Sequence, residues 1–97
     1  LYGNNLPVLI TLPKFKGQYV RFVCIVERCK QYRTKNGDLM MFVVASDETA
    51  KFDLVCMPNI YRNHADDLVK GNYLYVEGKI DKETSCLVKK VSKIERE

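Results

Sequence analysis

Apolar and polar residues alternate with a period of two along most of this chain. The longest alternating stretch runs from residue 19 to residue 31, and one of its faces carries Val20, Phe22, Cys24 and Val26. Because successive side chains of a β-strand point to opposite faces, this stretch predicts a long strand with one strongly apolar face and one mixed face. A strand of this length can bend and serve both halves of a closed barrel.

Four shorter strands and one helix follow. The predicted strands cover Leu39–Ala45, Lys51–Met57, Asn72–Ile80 and Cys86–Ile94. Asn36 and Gly37 tolerate positive φ, so they predict the turn that joins the first two strands antiparallel. Pro58 suits the first position of a helix and Gly71 suits its C-terminal stop, which places a short helix after the third strand. The order of elements is β-β-β-α-β-β.

The second strand is apolar on both faces, so its orientation has to be chosen. We predict that Phe42 and Val44 enter the core, and that Met41 and Val43 share the mixed outer face with Asp53 on the third strand. In this arrangement Met41 and Val43 present an apolar platform to nucleic-acid bases or to a neighbouring domain. Alternatively, the N-terminal segment simply covers them.

Five strands with one helix between the third and the fourth are typical of the oligonucleotide/oligosaccharide-binding (OB) fold. We therefore predict an all-β, five-stranded OB barrel over residues 19–97, with the helix plugging one end. Residues 1–18 contain Pro7 and Pro13 around a short apolar run, which predicts an irregular segment leading in from a preceding domain. Neither a signal peptide nor a membrane-spanning pattern occurs in the sequence, so we expect a soluble piece of a longer protein without a membrane partner.

The net charge is mildly positive and unevenly distributed. The 97 residues include 16 Lys and Arg against 12 Asp and Glu, which gives a formal charge of +4. Such an excess does not by itself distinguish a nucleic-acid-binding domain from other domains. Residues 1–39 carry seven basic and two acidic side chains, residues 40–69 carry two and five, and residues 70–97 carry seven and five. The positive charge therefore lies toward the two ends of the chain.

The four cysteines raise the question of a disulfide framework or a zinc site. They are Cys24, Cys29, Cys56 and Cys86, and none forms a close C-x-x-C pair. Three of them fall inside apolar strand patterns. We therefore predict reduced thiols in the core, and neither a metal nor another cofactor in this domain.

The side chains needed for catalysis are sparse. His64 is the sole histidine, and it lies on the predicted helix beside Asp66 and Asp67 without a partner nucleophile. We expect it to pack at the helix surface or at the cap of the barrel. No ordered constellation of His, Ser and paired carboxylates occurs elsewhere, so no catalytic residue is predicted in this chain.

Several motifs occur in the order found in one known family. They are Val20–Val26, the Thr-Lys-x-Gly-x-x-Met-x-Phe run from Thr34 to Phe42, Asp47, Phe52–Pro58 and Val76–Lys79. Together, from about Gly17 to Ile94, they resemble the OB domain near the C-terminus of the bacterial DNA polymerase III alpha subunit. Met40 and Phe42 after the Thr-Lys-x-Gly loop favour this family over the similar anticodon-binding OB domains of class II aminoacyl-tRNA synthetases. Cys24, Ala50 and Met57 depart from the pattern, which has glycine, glycine and an aromatic residue there.

The resemblance implies a parent protein and its surroundings. The parent would be a replicative DNA-directed DNA polymerase whose catalytic carboxylates lie in a separate palm domain. The OB domain would contact single-stranded template DNA near the active site. The other polymerase domains and replisome proteins would be its partners, in the bacterial cytoplasm.

A basic run at the end of the first strand is the main candidate binding surface. It consists of Arg28, Lys30, Tyr32, Arg33 and Lys35, where an OB barrel approaches its ligand. Cationic side chains there would neutralise phosphates and release counterions, and Tyr32 would stack one base. The plainer alternative is a solvated turn.

A second candidate set lies on the fourth strand and the turn after it. Tyr73, Tyr75 and Lys79 share the face opposite the apolar one, and Lys82 follows in the turn. Tyrosines beside a lysine can stack bases, and they can equally line a contact with another domain. Lys82 is predicted to clamp a DNA strand from the side opposite the basic run.

These observations favour binding of single-stranded DNA without strong sequence preference, through phosphate contacts and one or two stacked bases. Three alternatives stay open: a tRNA anticodon-binding module, a single-strand-binding protein, and an OB domain that holds a protein segment. Anticodon reading requires base-specific polar contacts, whereas a protein-docking domain would have little salt-sensitive affinity for oligonucleotides.

Overall fold

A computed structural model describes residues 6–95 of the chain. Its elements are a 3-10 helix at Leu9–Phe15, β1 at Tyr19–Arg33, β2 at Leu39–Ser46, β3 at Lys51–Cys56, α1 at Pro58–His64, β4 at Tyr73–Lys82 and β5 at Ser85–Ile94. The strands form a closed barrel in the order β1-β2-β3-β5-β4, and β3 pairs with β5 in parallel. The predicted five-stranded OB barrel with one short helix is confirmed. No helix among the described residues is long and apolar enough to cross a membrane.

Strand β1 serves both halves of the barrel, as its length predicted. Its first half pairs with β4 and its second half with β2, and Ile25 has a partner on each side. A β-bulge between Val26 and Arg28 inserts one extra residue at the bend. Even-numbered side chains therefore point inward before the bulge and outward after it. The sequence pattern did not predict this bulge, which turns Arg28 and the alternate residues after it outward.

The prediction for the faces of β2 is wrong. Met41 and Val43 are 7% and 1% exposed and lie in the core, whereas Phe42 is 37% exposed and Val44 is half-buried on the outer face. The register of the β2–β3 hairpin explains the difference, because antiparallel cross-strand partners share a face. Val43 pairs with Leu54, which is fully buried, so Val43 must also point inward.

The lead-in segment contributes to the barrel core. Residues 1–5 lie outside the described residues, but residues 9–15, predicted to be irregular, form the 3-10 helix. Leu9 and Leu12 are fully buried in the same cluster as the barrel residues. The N–H of Leu9 donates to the Asp47 carboxylate at 2.8 Å, and the N–H of Ile10 donates to Thr49 Oγ1 at 3.1 Å. The β2–β3 turn thus holds the start of this helix against the barrel.

Helix α1 is shorter than the pattern suggested. It begins at Pro58, as predicted, but ends at His64, well before Gly71. The N–H of Leu68 still donates to the carbonyl of His64 at 3.2 Å. The chain therefore continues in a turn, and this turn brings Leu68 into the core with Ile60 of the helix.

The cysteines are free thiols. Cys24, Cys56 and Cys86 are buried, and burial raises the pKa of each to about 12. Cys29 is half-buried, and its thiol donates to the carbonyl of Leu68 at 3.2 Å. The predicted core thiols are confirmed for the three buried cysteines, which pack as protonated apolar groups.

Candidate nucleic-acid interface

The outer surface of β1, β2 and β3 forms an open groove of about 440 Å³. We call this groove the strand groove. The side chains that face it are Arg28, Lys30, Tyr32, Phe42, Val44 and Asp53. This surface is built by the second half of β1 after the bulge, together with the hairpin β2–β3. In OB folds, the second and third strands and the flanking loops are the surface that binds oligonucleotides.

Strand register fixes how charge is arranged across the groove. Arg28 lies opposite Val44, and Val44 lies opposite Asp53. In the next row Lys30 lies opposite Phe42. Directly opposed residues have Cβ atoms about 4.5–5.5 Å apart. The groove therefore has a cationic wall on β1, an apolar floor on β2 and one carboxylate on β3.

Two aromatic side chains of the groove pack against each other. The rings of Tyr32 and Phe42 meet edge to face, with centroids 4.8 Å apart and an interplanar angle of 81°. Lys30 Nζ lies 5.2 Å from the centroid of the Tyr32 ring, within the range of a cation–π contact. Tyr32 is 42% exposed and Phe42 is 37% exposed, so both rings combine packing with access to a ligand.

The loop between β1 and β2 follows the Tyr32 end of the strand groove. Gly37 takes φ of 90°, and its N–H donates to the carbonyl of Thr34 at 2.9 Å. Arg33 Nη1 donates to the carbonyl of Gly37 at 2.6 Å, so this predicted binding residue braces the loop. Its position in β1 places it on the strand face opposite Lys30. Lys35 is exposed in the loop itself.

The predicted residues of β4 lie on a different part of the barrel wall. Tyr73, Tyr75 and Lys79 pair across to Ile25, Val23 and Tyr19 in the first half of β1. The Tyr75 hydroxyl donates to the Glu77 carboxylate at 2.7 Å, and this bond, with partial desolvation, raises the pKa of Tyr75. The structure thus separates these three residues from the strand groove.

Lys82 takes a third position. It pairs with Ser85 at the β4–β5 turn, and Ser85 pairs with Asp53 of β3. The N–H of Asp53 also donates to the carbonyl of Thr84 at 2.9 Å. This turn therefore borders the Asp53 end of the strand groove, away from the loop that carries Lys35.

Ion pairing leaves the cationic wall unneutralised. Between residues 6 and 95 the structure contains a close contact of His64 with Asp67 at 3.6 Å and an ion pair joining Lys93 to Glu95 at 4.0 Å. Both pairs lie outside the strand groove. The same residues contain no group of three His, Cys, Asp or Glu side chains that could hold a metal ion.

Three groove residues were not among the predicted binding residues: Phe42, Val44 and Asp53. Phe42 was assigned to the core, so the sequence pattern did not predict the apolar floor of the groove. A signal for the correct face was present in the sequence. The third strand alternates clearly, with Phe52 inward, and the four-residue turn after Ser46 pairs Phe52 with Ala45. Counting back from Ala45 places Phe42 outward.

Comparison with known proteins agrees with this geometry. A family model described as an OB-fold nucleic acid binding domain matches residues 20–95. DNA polymerase III subunit alpha of Halalkalibacterium halodurans is 33% identical over 78 residues, covering 76% of this chain and 7% of that protein. The same subunit of Staphylococcus aureus is 32% identical over 78 residues, covering 80% of this chain and 6% of that protein.

A solved structure supports the fold independently. The mitochondrial single-stranded DNA binding protein of S. cerevisiae superimposes with a TM-score of 0.61 over 84% of this chain and 99% of that chain. At 14% identity this likeness concerns the fold alone. The chain spans less than a tenth of the polymerase subunits it matches. The resemblance to the polymerase III alpha subunit is confirmed, and the chain belongs to the family of OB-fold nucleic-acid-binding domains.

Proposed function

We propose that this chain binds single-stranded DNA in the strand groove, as the OB domain of a bacterial DNA polymerase III alpha subunit. The observation that carries the proposal is the exposed Tyr32–Phe42 pair beside Lys30, on the OB surface that binds oligonucleotides. Similarity to polymerase alpha subunits favours template DNA over tRNA as the ligand.

The two sides of the groove contact different parts of the DNA. Lys30 on β1 and Lys35 in the loop contact phosphates and release counterions. Bases lie over β2 and stack on the exposed rings of Tyr32 and Phe42. Each stacked base contributes about 1–3 kcal/mol, largely independent of its identity.

Modest affinity is sufficient for this role. A net charge of +4 provides few phosphate contacts. Within a larger polymerase the domain is tethered close to the template, which raises the effective DNA concentration into the millimolar range. The remaining polymerase domains and replisome proteins are its proposed partners, in the bacterial cytoplasm. Catalysis belongs to those domains, and this chain is proposed to act without a cofactor.

The proposed path of the DNA along the strand groove does not include all the binding residues that the sequence predicted. The pairing of Lys82 with Ser85, and of Ser85 with Asp53, supports including Lys82 in the proposed DNA contact. Tyr73, Tyr75 and Lys79 lie on the β4 surface, so their participation in DNA binding stays a prediction that the groove does not require.

The test is a fluorescence-anisotropy titration of a labelled oligothymidine at low and moderate salt, with duplex DNA and RNA as competitors. Binding that weakens with salt and prefers single-stranded DNA is expected. No binding at low salt contradicts the proposal, and a preference for a structured RNA favours the anticodon-binding alternative.

A paired variant locates the contact. Replacing Lys30 and Lys35 with alanine removes two phosphate contacts, so the slope of log K against log salt falls by about 1.4. The matched control replaces Lys89 and Lys90, which are exposed on β5. This control has the same change in charge and should leave the slope nearly unchanged. Equal slopes for the two variants would remove the strand groove from the proposal.

A further inference from the structure

One row of the strand groove carries opposite charges on its two sides. Arg28 on β1, Val44 on β2 and Asp53 on β3 are direct cross-strand neighbours. Adjacent strands lie about 4.8 Å apart, so the Cα atoms of Arg28 and Asp53 are separated by about 10 Å. Val44 forms an apolar floor between them. We call these three residues the charged row.

Neither charged side chain of this row is neutralised within the protein. Arg28 and Asp53 are exposed, and neither forms an ion pair with another residue between 6 and 95. A carboxylate in a groove that binds a polyanion repels phosphate. The DNA backbone must therefore follow the cationic β1 side, and the edges of the bases must point toward Asp53.

This arrangement defines which base edge fits. An ionised carboxylate only accepts hydrogen bonds, and a guanidinium only donates them. Guanine presents N1–H and an amino group on one edge and the acceptors O6 and N7 on another, which is the pair that arginine binds in bidentate fashion. Thymine has one N–H between two carbonyl oxygens, which the carboxylate repels. Adenine and cytosine provide an amino group but lack the O6/N7 acceptor pair.

We propose that the charged row is a base-reading subsite that selects guanine. Asp53 accepts hydrogen bonds from guanine N1–H and the amino group, Arg28 donates to O6 and N7, and Val44 supports the ring. This inference rests on the proposed function, since it assumes that a single strand occupies the groove. The neighbouring stacking positions at Tyr32 and Phe42 tolerate any base, so selectivity is confined to one nucleotide.

The first test uses the unmodified protein and changes only the DNA. An oligothymidine of about ten nucleotides carrying one central guanine should bind at least roughly fivefold more tightly than oligothymidine alone. Replacing that guanine with inosine, which lacks the amino group, removes a donor to Asp53. Replacing it with 7-deazaguanine removes the acceptor N7. Each analogue should lose most of the gain.

Variants then assign the two contacts. Asp53→Asn should strengthen binding of all-thymine oligonucleotides, because it removes the repulsion, and should reduce the preference for guanine over inosine to nearly none. Arg28→Lys keeps the charge but loses the bidentate fork, so the difference between guanine and 7-deazaguanine should vanish while the salt slope is retained. The control is Asp66→Asn, an exposed aspartate in the turn after α1 with the same change in charge. It should leave every ratio unchanged.

The outcomes separate the two proposals. Salt-sensitive binding with equal affinity for guanine-containing and all-thymine strands overturns the guanine subsite and leaves the proposed function intact. An unchanged preference for guanine over inosine in Asp53→Asn also overturns it, because the carboxylate would then act through charge alone. Absence of binding to every strand at low salt contradicts the proposed function itself.

Discussion

Phe42 lies on the outer surface of the barrel, between two residues that lie in the core. Its sequence neighbours Met41 and Val43 are almost completely buried, but Phe42 is 37% exposed and packs edge to face on Tyr32. A residue in this position contributes less to the core than to the surface that a ligand contacts. A substitution at position 42 should therefore weaken binding with little effect on stability, and a substitution at position 43 should lower stability with little effect on binding.

Phe42→Ala should weaken binding of single-stranded DNA by about 1–3 kcal/mol, the range measured when a stacking aromatic is removed. Its effect on the free energy of unfolding should be small by comparison. Val43→Ala is the control, since Val43 is 1% exposed, and it should destabilise the fold by about 1–3 kcal/mol without changing affinity. Anisotropy titrations and urea unfolding of both variants give the comparison. Wild-type affinity in Phe42→Ala would contradict a stacking role.

Asp47 makes the stability of the protein depend on pH. Partial burial alone would raise the pKa of Asp47, but the hydrogen bonds that it accepts lower it below its ordinary value. The donors are the Thr49 side chain and the backbone N–H groups of Leu9, Thr49 and Ala50. A lowered pKa in the folded state means that the unfolded chain binds the proton more readily. The resulting stability is present above about pH 4 and is lost as the pH falls through the folded pKa.

Asp47→Asn should therefore reduce the free energy of unfolding by about 1–2 kcal/mol at neutral pH and by less below about pH 3. Urea unfolding at both pH values measures the difference. The adjacent Glu48→Gln serves as the control, because Glu48 is exposed and its substitution should have little effect at either pH. A constant deficit in Asp47→Asn across the pH range would show that the ionised carboxylate is not what stabilises the turn.

At the scale of single elements, strand β1 shows where a sequence pattern stops being informative. Up to Val26 the alternation of apolar and polar residues is clear, and the strand was predicted correctly. After the bulge, both faces carry polar or charged side chains, so the pattern contains no sign of the extra residue at Glu27. The register with β2 determines which side chains of β1 after the bulge face the groove, and this register depends on residues distant in sequence. The long strand was predictable, but the direction of its basic side chains was not.

The pairing of β4 with β5 depends on close approach at Gly78. A Cβ atom at this position would lie 2.4 Å from the carbonyl oxygen of Leu87 and 2.6 Å from the Cys86 sulfur. Gly78→Ala should destabilise the protein by about 1–3 kcal/mol or more, because backbone would have to shift. The contrast is Gly37→Ala, where a Cβ meets nothing within 4 Å and the positive φ costs about 1 kcal/mol. Thermal unfolding compares the stabilities of the two variants. An equal loss of stability in both would contradict the close approach at Gly78.

The 3-10 helix offers a direct test of where the domain begins. Leu12 is fully buried in the barrel cluster, whereas Ile10, two residues earlier in the same helix, is 61% exposed. Leu12→Ala should cost about 2–5 kcal/mol of stability, and Ile10→Ala should remain within about 0.5 kcal/mol of the parent protein. Urea unfolding of the two variants is the measurement. A small effect of Leu12→Ala would show that the barrel from residue 19 onward is stable without this segment.

At the scale of the whole molecule, the order of strands was predictable and the assembly of the site was not. Turn residues such as Gly37 and the change from alternating to helical spacing at Pro58 are local signals, and they were sufficient for the barrel. The candidate site combines side chains from three strands, so it depends on two registers and one bulge. Local patterns therefore could not show whether the second candidate set, with Tyr73 and Tyr75, shares a surface with the basic run, and the closed barrel places it on another part of the wall.

The barrel thus presents two outer surfaces with different side chains. The strand groove combines cations with exposed aromatic rings, whereas the β4 surface ties its Tyr75 to Glu77. The strand groove has the composition that a polyanion with stacked bases requires. The central claim is that single-stranded DNA occupies the strand groove and not the β4 surface.

The measurement that tests this claim most directly is a titration of isotope-labelled protein with oligothymidine, followed by amide chemical shifts in NMR spectra. We expect the largest shifts at residues 28–32 and 40–44 and in the loop from residue 34 to residue 38, with the β4 surface at 73–79 nearly unaffected. Shifts confined to residues 73–79, or an absence of shifts at low salt, would contradict the account.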